Sequence, residues 1–224
     1  MIGRGAIPDS PEMFDPARSS KRGEPSWEVA YCFPRQGEWS EADFLAFESA
    51  NFPVELVDGC LEFLPMPTYS HQRLVRFLFL QLNHAAQETG RGEASFAPCP
   101  IRLWDTRFRE PDVFFLSSQR VARGEDPPQG AEIVIEVLSP GQSNRERDLI
   151  TKRSDYARAG IPEYWIVDPE QVCITVLTLG DSGYDVHGEY AEGATAISVY
   201  LPEFSVDVAS LFASAKPSST NDAS

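Results

Sequence analysis

The apolar patterning of this 224-residue chain predicts an α/β domain: helices flanking a central mixed β-sheet, with extra β-hairpins attached. Three observations carry the expectation. Helical and extended periodicities follow one another as helix, several strands, helix and further strands. The apolar strand Ala131-Glu132-Ile133-Val134-Ile135-Glu136-Val137-Leu138 is followed by a helix and a second apolar strand, which across 133–168 predicts a right-handed parallel crossover. Asp58-Gly59 stands between two short apolar runs as a two-residue hairpin turn.

Residues 1–30 mix Gly, Pro, Ser and charges of both signs without a sustained apolar period and read as a flexible arm. A single domain is expected over 31–212, with 213–224 too polar to pack and read as a disordered tail. Inside the domain, Ser40 caps a short amphipathic helix reaching about Ala50, with Glu41 and Asp43 in its first turn where the helix dipole favours them. Val54–Val57 and Cys60–Leu64 are the hairpin strands, and Pro65-Met66-Pro67 breaks the second. From Ser70 to Thr89, Leu74, Val75, Leu78, Leu82 and Ala85 recur at helical spacing, with Gly90 as the stop and His71, Arg73, Arg76 and His84 on the polar face.

Strands are expected near Glu93–Phe96, Ile101–Trp104 and Asp112–Leu116, then a loop over Ser117–Gly130. After the Glu136 strand, Ser143-x-x-Glu146 matches a capping box and opens a helix to Ala159, stopped by Gly160. Asp148, Lys152 and Tyr156, four apart, share one face of it. Tyr164–Asp168 and Val172–Leu179 read as strands, and a further hairpin is expected from Tyr184–Tyr190 and Ala196–Leu201.

Composition narrows the function classes. No apolar run approaches the roughly 18 residues of a membrane span, and Met1–Ala6 opens no secretory leader, so a cytoplasmic protein is expected. Cys32, Cys60, Cys99 and Cys173 are scattered without a C-x-x-C pair, which suggests neither a disulfide framework nor a structural zinc site. The net charge of −15 opposes broad electrostatic attraction to nucleic acid. Residues 144–160 run the other way, carrying five basic residues against three acidic ones.

Glu136 is the residue with the least structural reason to exist. Alternation places Ile133, Ile135 and Val137 on one face of its strand and Val134, Glu136 and Leu138 on the other, so one carboxylate shares its face with two aliphatics. A lone buried carboxylate costs several kcal/mol unless compensated. It can be read as half of a buried ion pair, or as a ligand to a hard divalent cation, which prefers oxygen. Asp112, opening a strand after Pro111, supplies a second carboxylate, and Mg²⁺ needs only one or two together with waters and phosphate oxygens. Lys152 reads either as an i,i+4 partner of Asp148 or as a cation that reaches back to polarise an attacking water. His71 is either a helix-surface residue or a phosphate contact. Together these residues suggest a metal-dependent phosphodiesterase.

Glu55-Leu56-Val57-Asp58-Gly59, His71, Pro111-Asp112-Val113, Ile135-Glu136-Val137-Leu138-Ser139-Pro140, Asp148-x-x-x-Lys152 and Tyr156 through Pro169 resemble the putative restriction endonuclease family within the PD-(D/E)xK superfamily, over roughly residues 40–212. The resemblance implies a restriction-endonuclease-like core, with Asp112 and Glu136 holding Mg²⁺ or Mn²⁺, Lys152 catalytic, and Glu55 and His71 in support. One departure stands out. Two residues after the glutamate, where the superfamily lysine usually stands, this chain has Leu138, so Lys152 on the following helix must replace it. DNA is the expected substrate and a homodimer the expected assembly. A catalytically silent module binding nucleic acid or a protein partner is the alternative.

Overall fold

Ser40 opens the first described helix, α1 (Glu41–Glu48), by reciprocal capping: Asp43 N donates to Ser40 Oγ at 3.2 Å and Ser40 N to Asp43 Oδ2 at 3.1 Å. The computed structural model describes residues 32–48 and 53–216, with the single positions 20, 22, 23 and 30. Most of the expected arm and residues 217–224 of the expected tail lie outside the described residues. The hairpin forms as β1 (Val54–Val57) and β2 (Cys60–Phe63), with Asp58 and Gly59 at φ of 49° and 77°, the left-handed pair that suits strand twist. Helix α2 (Tyr69–Thr89) starts at Thr68, whose side chain accepts from His71 N, and ends at left-handed Gly90.

Strands β3 (Gly92–Phe96), β4 (Ile101–Trp104), β5 (Arg107–Arg109) and β6 (Val113–Ser117) follow. The expected loop over Ser117–Gly130 contains one helical turn, α3 (Ser118–Val121), because Ser117 caps it by accepting from Arg120 N. After β7 (Ile133–Val137) the chain runs through α4 (Gln142–Glu146), a wide π-helical turn (Arg147–Lys152) and α5 (Arg153–Arg158). This helix starts at Gln142, one residue before Ser143. The remainder is β8 (Glu163–Asp168), β9 (Cys173–Gly180), β10 (Gly183–Ala191), β11 (Thr195–Ile197), β12 (Ser205–Asp207) and α6 (Val208–Ser214). The hairpin expected between Tyr184–Tyr190 and Ala196–Leu201 does not form. A tight Asp181-Ser182 turn closes β9 onto β10, and β11 pairs with β12 instead. Helix α6 also carries the chain past the expected boundary at 212, and Arg73 Nη1 donates to Lys216 O at 2.6 Å.

The main sheet has the order β10-β9-β8-β7-β6-β3 and is mixed, with β7 and β8 parallel and every other neighbouring pair antiparallel. Alternation along β7 divides the core as expected. Ile133, Ile135 and Val137 pack with α2 and α6, while Val134 and Leu138 pack with Tyr156 of α5 on the opposite face. A second sheet, β2-β1-β5-β4, covers a third core of Trp39, Phe44, Val54, Leu56, Leu61 and Phe108. Among the described residues, no helix is long and apolar enough to cross a membrane.

Candidate active site

The C-terminal end of β7 opens into a cleft of about 310 Å³. Pro53, the Leu64–Pro67 turn and Ala97-Pro98 wall it, while Glu110, Asp112, Glu136, Arg147, Asp148 and Lys152 supply its polar groups. Asp112, between β5 and β6, is fixed by the strand beside it: Val137 N donates to Asp112 Oδ2 at 2.7 Å. His71 reaches the same place from the first turn of α2, with Nε2 at 3.3 Å from that oxygen and 3.1 Å from Val137 O. A carbonyl only accepts, so Nε2 carries a proton; the buried Nδ1 has no hydrogen-bond partner among the described residues. Burial alone would lower His71, but its bond to Asp112 and that carboxylate's charge raise it above its ordinary range.

Glu136 meets Lys152 as the sequence requires. Lys152 Nζ donates to Glu136 Oε1 at 2.7 Å, and the Tyr156 hydroxyl donates to the same oxygen at 2.6 Å. The lysine is 2 % exposed, and it also lies 3.3 Å from Glu55 Oε1 and 3.8 Å from Asp148 Oδ1. The π turn ends on this lysine. Its extra residue per turn shifts the register at which Asp148 and Lys152 face the strand, and both are buried. Asp112, Glu136, Lys152, Glu55 and His71 therefore gather around one cleft and its immediate floor.

The floor is a second ionic cluster. Arg109 is fully buried on β5 and donates to Glu55 Oε2 at 2.6 Å, and its Nε and Nη2 reach Asp155 Oδ2 at 3.0 and 2.7 Å. Glu55 Oε1 accepts from Glu110 N at 3.0 Å. Burial raises Glu55, but the Lys152 and Arg109 charges prevail and hold its carboxyl down at about 2. Glu136 has the opposite balance. Burial pushes it up, Lys152 opposes, and the neighbouring Asp112 and Asp148 charges help carry it to about 8. Lys152 is held protonated: burial would lower it, but Glu136, Glu55 and Asp148 raise it well above its usual value.

The donor set fits a hard divalent cation. Asp112 and Glu136 both line the cleft, and their hydrogen bonds fall on Oδ2 and Oε1, so each keeps its other oxygen. Among the described residues no three His, Cys, Asp or Glu side chains cluster as a ready cage. Two carboxylates with free oxygens can nonetheless serve a hard cation that keeps part of its water shell. A crowd of carboxylates with one member pushed upward is also the environment a cation relieves.

Sequence reasoning passed over Arg109, Asp155, Glu110 and the Tyr156 hydroxyl as site residues. Arg-Phe-Arg carries only one apolar residue, so β5 left no strand signature. Tyr156 did leave one, since it lies four residues after Lys152 on the face assigned to the site.

Residues 41–209 match the model of a family described as Uma2, putative restriction endonuclease. The fold is similar to the crystal structure of a putative nuclease belonging to DUF820 from Anabaena variabilis ATCC 29413, with a TM-score of 0.65 and 17 % identity over 79 % of this chain and 99 % of that one. No curated protein matches the chain. The mixed sheet with flanking helices is thus the expected restriction-endonuclease-like architecture.

Proposed function

The chain belongs to the putative restriction endonuclease family, and from that premise we propose that it is a Mg²⁺- or Mn²⁺-dependent endonuclease hydrolysing phosphodiester bonds in DNA. The observation that carries the reading is that Asp112, Glu136 and Lys152 come from three separate segments, the β5–β6 connection, β7 and the π turn, and line one cleft. Asp112 and Glu136 would hold the cation, which when bound supplies a more acidic water and neutralises charge on the phosphoryl oxygens.

The chain's own groups have separable tasks. Val137 N–H and His71 hold Asp112 in place. Tyr156 and Lys152 hold Glu136 Oε1 and leave its other oxygen to the cleft. Lys152, kept protonated by its carboxylate neighbours, serves as a fixed positive charge that orients water and stabilises the phosphoryl oxygens in the transition state. Glu55 and Arg109 keep that ammonium in position from below. A homodimer, placing one such site on each strand of a duplex, completes the reading.

One observation favours a catalytically silent module instead: the acidic chain, with net charge −15, buries its central lysine in ion pairs. A cleavage assay on duplex DNA with and without Mg²⁺ or Mn²⁺ separates the two. Metal-dependent cleavage that drops by two orders of magnitude or more in Asp112→Ala and Lys152→Ala is expected. Cleavage that survives both substitutions overturns the assignment, and absence of Glu136-dependent Mn²⁺ heat in calorimetry supports the silent module.

A further inference from the structure

An acidic cleft that must admit a phosphodiester needs a cation to receive it, and the cleft's cations are not equally available. Lys152 is committed to Glu136 and Glu55 and is almost fully buried. His71 is held between Asp112 and Val137 O. Arg109 lies beneath the cleft, closed in by Glu55, Asp155 and Glu62.

Arg147 differs from all three. It lines the cleft at the start of the π turn, its side chain is 21 % exposed, and its bonding among the described residues is a single contact, Nε to Asp148 Oδ1 at 3.2 Å. That contact orients the guanidinium through Nε and leaves both Nη groups, the paired donors that match a phosphate, without an acceptor among the described residues. Asp148 Oδ1 also lies 3.8 Å from Lys152 Nζ, so one buried carboxylate oxygen spaces the two cations across the same wall. Arg145, two residues earlier, shows the contrast: its guanidinium is taken up by Asp168 at 2.5 Å and by Glu170 at 3.4 Å.

Resting on the nuclease reading, we propose that Arg147 is the substrate-phosphate receptor of this cleft. Its Nη groups take the non-bridging oxygens of the phosphodiester that enters beside Lys152, and Asp148 acts as its positioning residue. The wide turn is what makes this possible, because it brings Arg147, Asp148 and Lys152 to one wall within six residues.

The test measures binding of a labelled DNA duplex by anisotropy in Ca²⁺ across a salt series, and cleavage in Mg²⁺, for wild type, Arg147→Gln, Arg147→Lys, Asp148→Asn and Arg145→Gln. Arg147→Gln is expected to weaken binding roughly tenfold and to remove about one phosphate contact from the salt slope. Its KM rises more than its kcat falls. Arg147→Lys retains the salt slope and loses part of the affinity, while Asp148→Asn repeats the KM effect at a preserved melting temperature. Arg145→Gln matches wild type. If Arg147→Gln, folded by circular dichroism, keeps the wild-type salt slope and KM, Arg147 is not the receptor, although the nuclease reading stands. If wild-type protein neither binds nor cuts the duplex, that reading and this one fall together.

Discussion

Two glutamates buried in neighbouring parallel strands have opposite fates. Glu163, at the start of β8, is 1 % exposed and saturated: Trp165 Nε1 donates to one oxygen at 2.6 Å, and Val199 N and Tyr200 N donate to the other at 2.7 and 2.8 Å. Glu136, near the end of β7, is 3 % exposed, receives both its donors on one oxygen, and is raised above the usual carboxylate range by burial, with the Asp112 and Asp148 charges adding to it against Lys152. Burial is the same in both. The difference lies in how the charge is met, and only the incompletely met carboxylate faces a cleft. A buried acid therefore points to chemistry when its partners leave an oxygen over and its neighbours repel it. With every oxygen bonded, as in Glu163, it fastens a loop.

The comparison can be broken most decisively by neutralising each acid. Glu136→Gln is expected to abolish metal-dependent cleavage, by at least about 100-fold, while lowering the metal-free unfolding free energy by only about 1–2 kcal/mol, because the amide oxygen still accepts from Tyr156 and the Lys152 ammonium keeps Glu55 and Asp148 beside it. Glu163→Ala should do the reverse. Its three donors, the buried Trp165 indole and the part-buried Val199 and Tyr200 N–H groups, lose their acceptor at up to about 1–3 kcal/mol each, so denaturant unfolding shows a loss of several kcal/mol while kcat of the folded fraction is retained. A Glu136→Gln protein as damaged in stability as Glu163→Ala would erase the distinction.

Glu55 sharpens it from a third side, since its carboxyl is held low, at about 2, against an ordinary 4.5. A depressed folded-state value contributes stability that is present above pH 4.5 and is lost as pH falls towards 2, an effect of roughly 3 kcal/mol. Melts at pH 7 and pH 3 should show the larger part of that acid loss, about 2 kcal/mol, in wild type and a smaller one in Glu55→Gln, which starts from a lower melting temperature. Equal acid losses in the two proteins would remove Glu55 from the account. Tyr156→Phe leaves Glu136 with Lys152 alone and is expected to cost about 1 kcal/mol and to weaken Mn²⁺ binding measured by calorimetry. The smallest effect belongs to Thr68→Ala, which deletes the cap that accepts from His71 N at 3.2 Å and costs about 1 kcal/mol or less on thermal unfolding.

Much of this was legible in the chain because local rules were enough. Asp58-Gly59 required a hairpin, Gly90 and Gly160 ended helices, and period-two alternation placed Glu136 opposite the α2 face. The Glu136–Lys152 pairing was legible because an unpaired carboxylate in an apolar strand calls for a cation. Glu163 went unremarked although its strand is as apolar, because its partners at Val199 and Tyr200 are backbone groups 36 and 37 residues away, and backbone donors leave no mark on side-chain identity. Arg109 and Asp155 escaped for a related reason: each is an ordinary charged residue until the β1–β5 pairing brings a strand under the helix. The π turn was hidden because a single added residue does not disturb a short amphipathic pattern.

Leu138 bears on how such a site can change over time. It occupies the strand position where a catalytic lysine would leave the apolar face incomplete, and here it is 2 % exposed and packed with Val134, Tyr156 and Ile166. Moving the cation to a helix lets the strand complete its core while the ammonium still arrives at the same carboxylate. Core packing and reactivity then rest on different elements, so substitutions that adjust one need not disturb the other.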